Sequence, residues 1–147
     1  MIDAGFTIAP RQRNGREENK TIKQGKGDEL WNEKPHKKRH KGIDARWTKK
    51  NNETFYGYKN HTKVDAKSKF IDKYKVTDAS VHDSQALADL LTEKDKDQDL
   101  HADSAYTGEE QEKVISQYEM NNKVNEKGYR NKPLTEEQKV NNRECIY

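Results

Sequence analysis

Three strand-like segments precede a stretch in which helix-like and strand-like segments alternate. Residues 2–9 are rich in β-forming side chains and end at Pro10, which cannot donate to an interior ladder. Residues 54–64 and 70–77 hold aromatic and β-branched side chains on both sides of a turn-like segment, which predicts a hairpin. Strands followed by alternation predict a mixed sheet with an antiparallel half and a parallel half.

The second half of the chain supplies the alternating elements. Alanines and leucines recur at helical spacing over residues 85–92, behind a capping segment at residues 81–84. Four further elements follow: a strand over 99–103, a helix over 108–120, a short strand over 123–126 and a helix that begins after 134–137. The order β, insertion, β, β, α, β, α, β, α is that of an RNase H-like α/β sheet.

Residues 11–50 form the insertion after the first strand. They contain 14 Lys and Arg against 6 Asp and Glu and show little periodicity, which predicts a long, largely irregular basic loop with a local charge of +8. Residues 76–120 have the opposite balance, at −9. Basic patches bind polyanions and clustered acids suit divalent cations. From charge alone, two ordinary solvated surfaces are an equally good interpretation.

Composition limits the size of the core. Only 29% of the 147 residues are hydrophobic, against roughly 45–50% in typical globular domains, so we expect at most one domain with a thin or incomplete core. Cys145 is the only cysteine, which excludes an internal disulfide and favours a cytoplasmic location. The sequence has no signal peptide and no apolar run of the roughly 18 residues that span a bilayer, so we expect no membrane association.

Two aspartates occupy the positions where α/β folds place their chemistry. Asp3 lies in the first strand, and Asp103 ends the strand over residues 99–103. Strand ends hold a side chain firmly while leaving it open to a ligand, so the pair suggests a metal site. The two residues are 100 positions apart, and only the fold can bring them together. From the residues alone, two surface aspartates near turns are the simpler interpretation.

Five segments then occur in a characteristic order: residues 2–6 with 10–14, 44–50, 56–61, 79–84 and 102–106. In this order they resemble the DDE-class transposases of bacterial insertion sequences that have an RNase H-like catalytic domain. The resemblance covers almost the whole chain. It implies that residues 1–147 are a partial transposase catalytic domain from the bacterial cytoplasm, with DNA as partner and a possible homo-oligomer in the intact enzyme.

The resemblance also implies the residues of the site. Asp3 and Asp103 match the first two acids of the family triad, which holds Mg²⁺ or Mn²⁺ for DNA strand cleavage and transfer. The family's Glu lies beyond a segment similar to Asn142-Arg143-Glu144, so we expect a truncated and inactive chain, with Glu144 an improbable substitute. The ending Cys145-Ile146-Tyr147 and the start shortly before Asp3 suggest an internal gene fragment.

Basic side chains of the insertion and of the second strand are the DNA-binding candidates. They are Arg11, Arg13, Lys37, Lys38, Arg39, Arg46, Lys49, Lys50, Lys59 and His61. Lys59 and His61 share one face of their strand and could meet phosphate, or could be ordinary solvated charges. Trp47 is expected to anchor the insertion to the sheet. The alternative function is a non-catalytic basic nucleic-acid-binding protein that uses residues 11–50.

Overall fold

The structure is a computed structural model that describes residues 1–143 and the backbone of Glu144. Its strands are β1 Ile2–Ile8, β2 Arg46–Lys50, β3 Glu53–Val64, β4 Ile71–Asp78, β5 Asp99–Ala102 and β6 Asn121–Val124. Its helices are α1 Arg16–Lys23, α2 Pro35–Arg39, α3 Leu87–Leu90, α4 Glu109–Gln117 and α5 Glu136–Glu144. The residues Cys145, Ile146 and Tyr147, on which the truncation was predicted, lie outside the described part.

The strands form one mixed sheet, in the order β2-β3-β1-β5-β6, with β4 also paired to β3. β5 is parallel to both β1 and β6, and β2 is antiparallel to β3. Two backbone hydrogen bonds show that β1 and β3 are antiparallel: Ala9 N–H donates to the Tyr56 carbonyl, and Val64 N–H to the Met1 carbonyl. The prediction of a mixed α/β sheet with an antiparallel and a parallel half is confirmed.

The prediction that residues 11–50 are largely irregular is wrong. This segment contains α1, α2 and β2. Glu18 accepts from the backbone N–H of Gly15, the N-cap residue of α1, and Pro35 occupies the first turn of α2. The helices are short and polar, with Ile22 as the one buried residue of α1, and therefore give a weak periodic signal.

The helix predicted over residues 85–92 is shorter than expected. A 3₁₀ turn, Asp83–Ala86, precedes α3, and Leu91 follows α3 in an extended conformation. Leu87, Leu90 and Leu91 are all buried. Because α3 ends between Leu90 and Leu91, the side chains of these two neighbouring residues can both be buried.

The chain divides into two compact units, and the first comprises Met1–Gly5, Asn60–Val76 and the chain from Val81 onward. Its core is a cluster of buried side chains from β1, β5 and the helices between and after them: Ile2, Leu87, Leu90, Leu91, Leu100, Ala102, Tyr106 and Ile115. Lys63 and Asp95 form a buried ion pair in the same unit.

The second unit comprises Phe6–Lys59 and Thr77–Ser80. Gly57 of β3 has φ +149°, and a Cβ there would lie 2.2 Å from the Thr7 carbonyl oxygen, so only glycine fits without a backbone shift. Phe6 and Phe55 stack with their ring centroids 4.4 Å apart. Within the described residues, no helix is long and apolar enough to cross a membrane.

Candidate functional site

Asp3 follows Ile2 in the chain, and Asp103 follows Ala102. Ile2 and Ala102 are register partners on the parallel strands β1 and β5, and both are buried in the core of the first unit. Asp3 and Asp103 are both exposed. Because the strands run in the same direction, the register brings the backbones of Asp3 and Asp103 to the same level of neighbouring strands.

Local hydrogen bonds orient each carboxylate. Asp3 Oδ1 accepts from the Ala4 N–H at 2.8 Å, and Asp103 Oδ1 accepts from the Ala105 N–H at 2.8 Å. Asp103 is the N-cap of the 3₁₀ turn Ser104–Tyr106, and this capping is the reason that β5 stops at Ala102. Each group uses one oxygen in this way. Charged oxygens held beside each other are the ligands that Mg²⁺ and Mn²⁺ prefer.

Among the described residues, the carboxylates of Asp3 and Asp103 are the candidate metal ligands at this level of the sheet. In the part of the chain that the structure describes, no three His, Cys, Asp or Glu side chains are grouped closely enough to hold a metal ion. Mg²⁺ keeps several waters and is commonly bound through one or two carboxylates, so the pair fits a hydrated ion. The backbone of Glu144 ends α5, and its side chain lies outside the described residues.

Tyr106 and Asp83 join this site in the structure, although sequence reasoning assigned neither of them a role. The 3₁₀ turn that begins at Asp83 contacts the turn Ser104–Tyr106, which Asp103 caps. Burial raises the pKa of the Tyr106 hydroxyl, and the negative charges of Asp83, Asp103 and Asp3 raise it further. His82, not Asp83, is the N-cap residue of its turn, with Nδ1 accepting from the Ser84 N–H. The predicted capping segment is therefore present.

The basic cluster at residues 37–39 is tied into the insertion. Lys37 donates to Glu18 at 2.8 Å and lies over the Trp31 ring, whose Nε1 donates to the same carboxylate oxygen. Lys38 donates to the Asp28 carbonyl oxygen and to Asn32. Arg39 is exposed. These bonds make Lys37 and Lys38 structural, and Trp31 the aromatic anchor of the insertion.

The other DNA-binding candidates differ in the solvent exposure of their side chains. Arg13, Lys49 and Lys50 are exposed, and Arg11 is exposed with its guanidinium over Trp47, which is itself 49% exposed. The prediction that Trp47 anchors the insertion is met in part, because its ring also contacts Tyr56 of β3. Arg46 is half-buried.

Arg46 donates to the carbonyl oxygens of Ile43, Ala45 and Ile22, the last of which lies near the end of α1. Its guanidinium therefore satisfies carbonyl groups of the insertion that would otherwise need water. This side chain has a structural role in the described conformation.

Lys59 and His61 are buried, at 8% and 0% exposure. Lys59 lies over the ring of Phe6, within the second unit. Alternation along β3 puts the two side chains on one face, as predicted, and that face is covered. Their burial removes both side chains from the surface that a phosphate backbone could reach.

Comparison with known proteins agrees with this architecture. The sequence profile of the family described as "Transposase DDE domain" matches residues 10–146, a range that includes Asp103 and begins after Asp3. Over 103 residues the chain is 36% identical to the transposase for insertion sequence element IS1106 of Neisseria meningitidis serogroup B. That alignment covers 70% of this chain and 35% of the relative, so the chain spans about a third of the relative's length. No solved structure matches the chain. On the extent of the profile match, the chain belongs to the transposase DDE domain family.

Proposed function

We propose that this chain is part of a transposase catalytic domain in which Asp3 and Asp103 bind Mg²⁺ or Mn²⁺ for chemistry on DNA phosphodiesters. The observation that supports this most directly is the parallel pairing of Ile2 with Ala102, which brings the backbones of two aspartates 100 positions apart to the same level of neighbouring strands. Membership of the transposase DDE domain family gives DNA as the substrate class.

We further propose that the sheet is RNase H-like and that residues 11–50 are a basic insertion in it. In the sheet, β1 lies between β3 and β5, antiparallel to β3 and parallel to β5, and β4 also pairs with β3. This arrangement supports the proposal because it places the first strand between an antiparallel hairpin and a parallel half. The helices α1 and α2 then belong to the insertion between the first and second core strands.

In the proposed mechanism, the carboxylates orient a hydrated divalent cation at the end of the sheet. The bound cation would polarise a phosphoryl oxygen and generate a nucleophile from water. Asp3 and Asp103 hold the ion, and the backbone N–H groups of Ala4 and Ala105 fix one oxygen of each carboxylate, leaving the second oxygen to the ion. The resemblance to the family implies a Glu as third ligand, and no third acidic side chain groups with this pair among the described residues. We therefore propose that residues 1–147 bind the ion weakly and do not cut DNA on their own.

DNA contact in this proposal depends on the exposed cations of the second unit. Among these cations, the predicted candidates that are exposed and that form no side-chain hydrogen bond or ion pair with the described residues of the insertion are Arg11, Arg13, Arg39, Lys49 and Lys50. Their side chains are accessible, and salt-sensitive attraction to phosphate is the expected result. Lys37 and Lys38 contribute charge but also hold the insertion together.

Calorimetric Mn²⁺ titration of the purified chain tests the metal proposal. Asp3→Asn and Asp103→Asn should each weaken binding at least about tenfold, because a neutral amide replaces a charged ligand. Asp99→Asn is the matched control: Asp99 is an exposed carboxylate on β5, at the end of the strand remote from Asp103. Equal Mn²⁺ affinity in all four proteins would overturn the metal site. DNA binding that persists in that case would favour the basic nucleic-acid-binding alternative.

A further inference from the structure

The Tyr106 hydroxyl is a buried polar group without a protein partner. Tyr106 is 1% exposed, and its hydroxyl oxygen has no hydrogen-bond partner among the described residues. A buried hydroxyl left unpaired destabilises the folded state, so native structures rarely keep one without a reason. The ring itself packs in the core with Ile2 and Ala102, the residues that precede the two strand-end aspartates.

The position of this hydroxyl is set by the same turn that ends β5. Tyr106 closes the 3₁₀ turn that Asp103 caps, and the turn containing Asp83 packs against it. Tyr106 N–H donates to the Asp103 carbonyl oxygen at 3.2 Å, and the Tyr106 ring shares a buried cluster with the residues that precede the two aspartates. The negative charges of Asp83, Asp103 and Asp3 act on the hydroxyl, but none of these carboxylates is its hydrogen-bond partner. A water molecule can link a phenol oxygen to carboxylates that it does not bond directly.

We propose that Tyr106 is a positioning residue of the carboxylate site, and that its hydroxyl oxygen accepts a hydrogen bond from a water of the hydrated divalent cation held by Asp3 and Asp103. This inference rests on the proposed metal-binding function. Water bound to a cation is polarised and donates strongly, and a phenol oxygen has the lone pairs to accept from it. Because Mg²⁺ retains several waters, a buried acceptor beside two ligands fixes the orientation of one of them. Asp83 adds a third negative charge that attracts the cation without ligating it directly.

The test is Mn²⁺ binding to Tyr106→Phe, with Tyr118→Phe as the matched control. Tyr118 packs against the same core and is partly buried. Tyr106→Phe should bind Mn²⁺ about three- to tenfold more weakly, the value of one hydrogen bond to a polarised donor, while Tyr118→Phe binds as the parent does. Without metal, Tyr106→Phe should melt at the same temperature as the parent or higher, because it removes an unpaired buried hydroxyl.

A measurement on the parent chain keeps the inference testable if Tyr106→Phe does not fold. With ¹³Cζ-labelled tyrosine, Mg²⁺ should shift the Tyr106 resonance and leave that of Tyr118 in place. Unchanged Mn²⁺ affinity in Tyr106→Phe, or an unmoved Tyr106 resonance, overturns the inference.

The Asp103→Asn variant distinguishes a wrong role for Tyr106 from a wrong assignment of the metal site. If Asp103→Asn abolishes binding while Tyr106→Phe does not weaken it, the metal site stands and the role of Tyr106 is refuted. If Asp103→Asn binds Mn²⁺ as the parent does, the metal site and the inference both fall. A clear loss of stability in metal-free Tyr106→Phe also overturns the inference, since the hydroxyl would then have a partner within the protein.

Discussion

Lys63 donates to both carboxylate oxygens of Asp95, at 2.9 and 2.8 Å, and their side chains are 7% and 10% exposed. Asp95→Ala leaves a buried ammonium with one remaining carboxylate, that of Asp72, so we expect a loss of about 3 kcal/mol in the free energy of unfolding. Asp72 is 56% exposed, and Asp72→Ala should cost less than about 1 kcal/mol. Urea denaturation of the two variants measures the difference. Equal losses would show that burial does not decide the strength of this pair.

Gly57 should tolerate no side chain. Its Cβ would meet the Thr7 carbonyl oxygen at 2.2 Å and the Ala9 nitrogen at 2.7 Å, both of them backbone atoms that cannot swing away. Gly57→Ala should therefore lower the free energy of unfolding by about 2–3 kcal/mol. Gly5→Ala is the control, since a Cβ at Gly5 meets nothing within 4 Å. Thermal melting followed by circular dichroism compares them, and a Gly57→Ala protein as stable as Gly5→Ala would contradict the predicted clash.

Acid should loosen the insertion through Glu18. Hydrogen bonds from Lys37, the Gly15 N–H and Trp31 lower the pKa of Glu18 from 4.5 to about 2. A depressed pKa means that the ionised carboxylate stabilises the folded state above pH 4.5, and that this stabilisation is lost as the pH falls from 4.5 towards 2. Trp31 fluorescence, recorded in a Trp47→Phe background, should change within that window.

The matched control for the Glu18 titration is Glu18→Gln. The amide keeps hydrogen-bonding atoms but does not ionise in this range, so the transition between pH 4.5 and 2 should disappear. A fluorescence change that persists in Glu18→Gln would have to come from another group.

Salt should weaken DNA binding in proportion to the exposed cations. Removing Lys49 and Lys50 together should reduce the slope of log affinity against log salt concentration by about 2, because each phosphate contact contributes about 0.9. Lys94→Ala with Lys113→Ala removes the same charge from exposed positions in the acidic segment 76–120 and should leave the slope unchanged. Fluorescence anisotropy at several ionic strengths measures both. Equal slopes for the two double variants would refute a binding surface at Lys49 and Lys50.

Strands β1, β3, β4, β5 and β6 were predictable because they have the alternation and turn signals that local sequence encodes, whereas β2 was missed within the insertion. Asp3 and Asp103 were singled out from the positions of their own strands, and their role in metal binding stays a prediction. The register of Ile2 with Ala102 was not predictable, because it depends on which strands become neighbours. The helices of the insertion were missed because a capping carboxylate and cation–aromatic contacts around Trp31 hold them, with few apolar residues to mark a face.

Burial of charged side chains was the other limit of sequence reasoning. Lys59 and His61 have the composition of a solvated strand face, yet the folded chain covers them. Tyr106 gave no signal at all, since an unpaired hydroxyl is recognisable only when its surroundings are known. Prediction from the sequence failed at positions whose burial and hydrogen bonding depend on residues far away in the chain.

The pairing of Ile2 with Ala102 also fixes a time order during synthesis. At roughly 5–20 residues per second, β1 leaves the ribosome about 5–20 seconds before the residues of β5 are made. In that interval β3 can already pair with β1, while the other edge of β1 stays unpaired until β5 has been made. Asp3 and Asp103 are therefore brought together late, and a nascent chain that has not yet reached β5 presents Asp3 without Asp103.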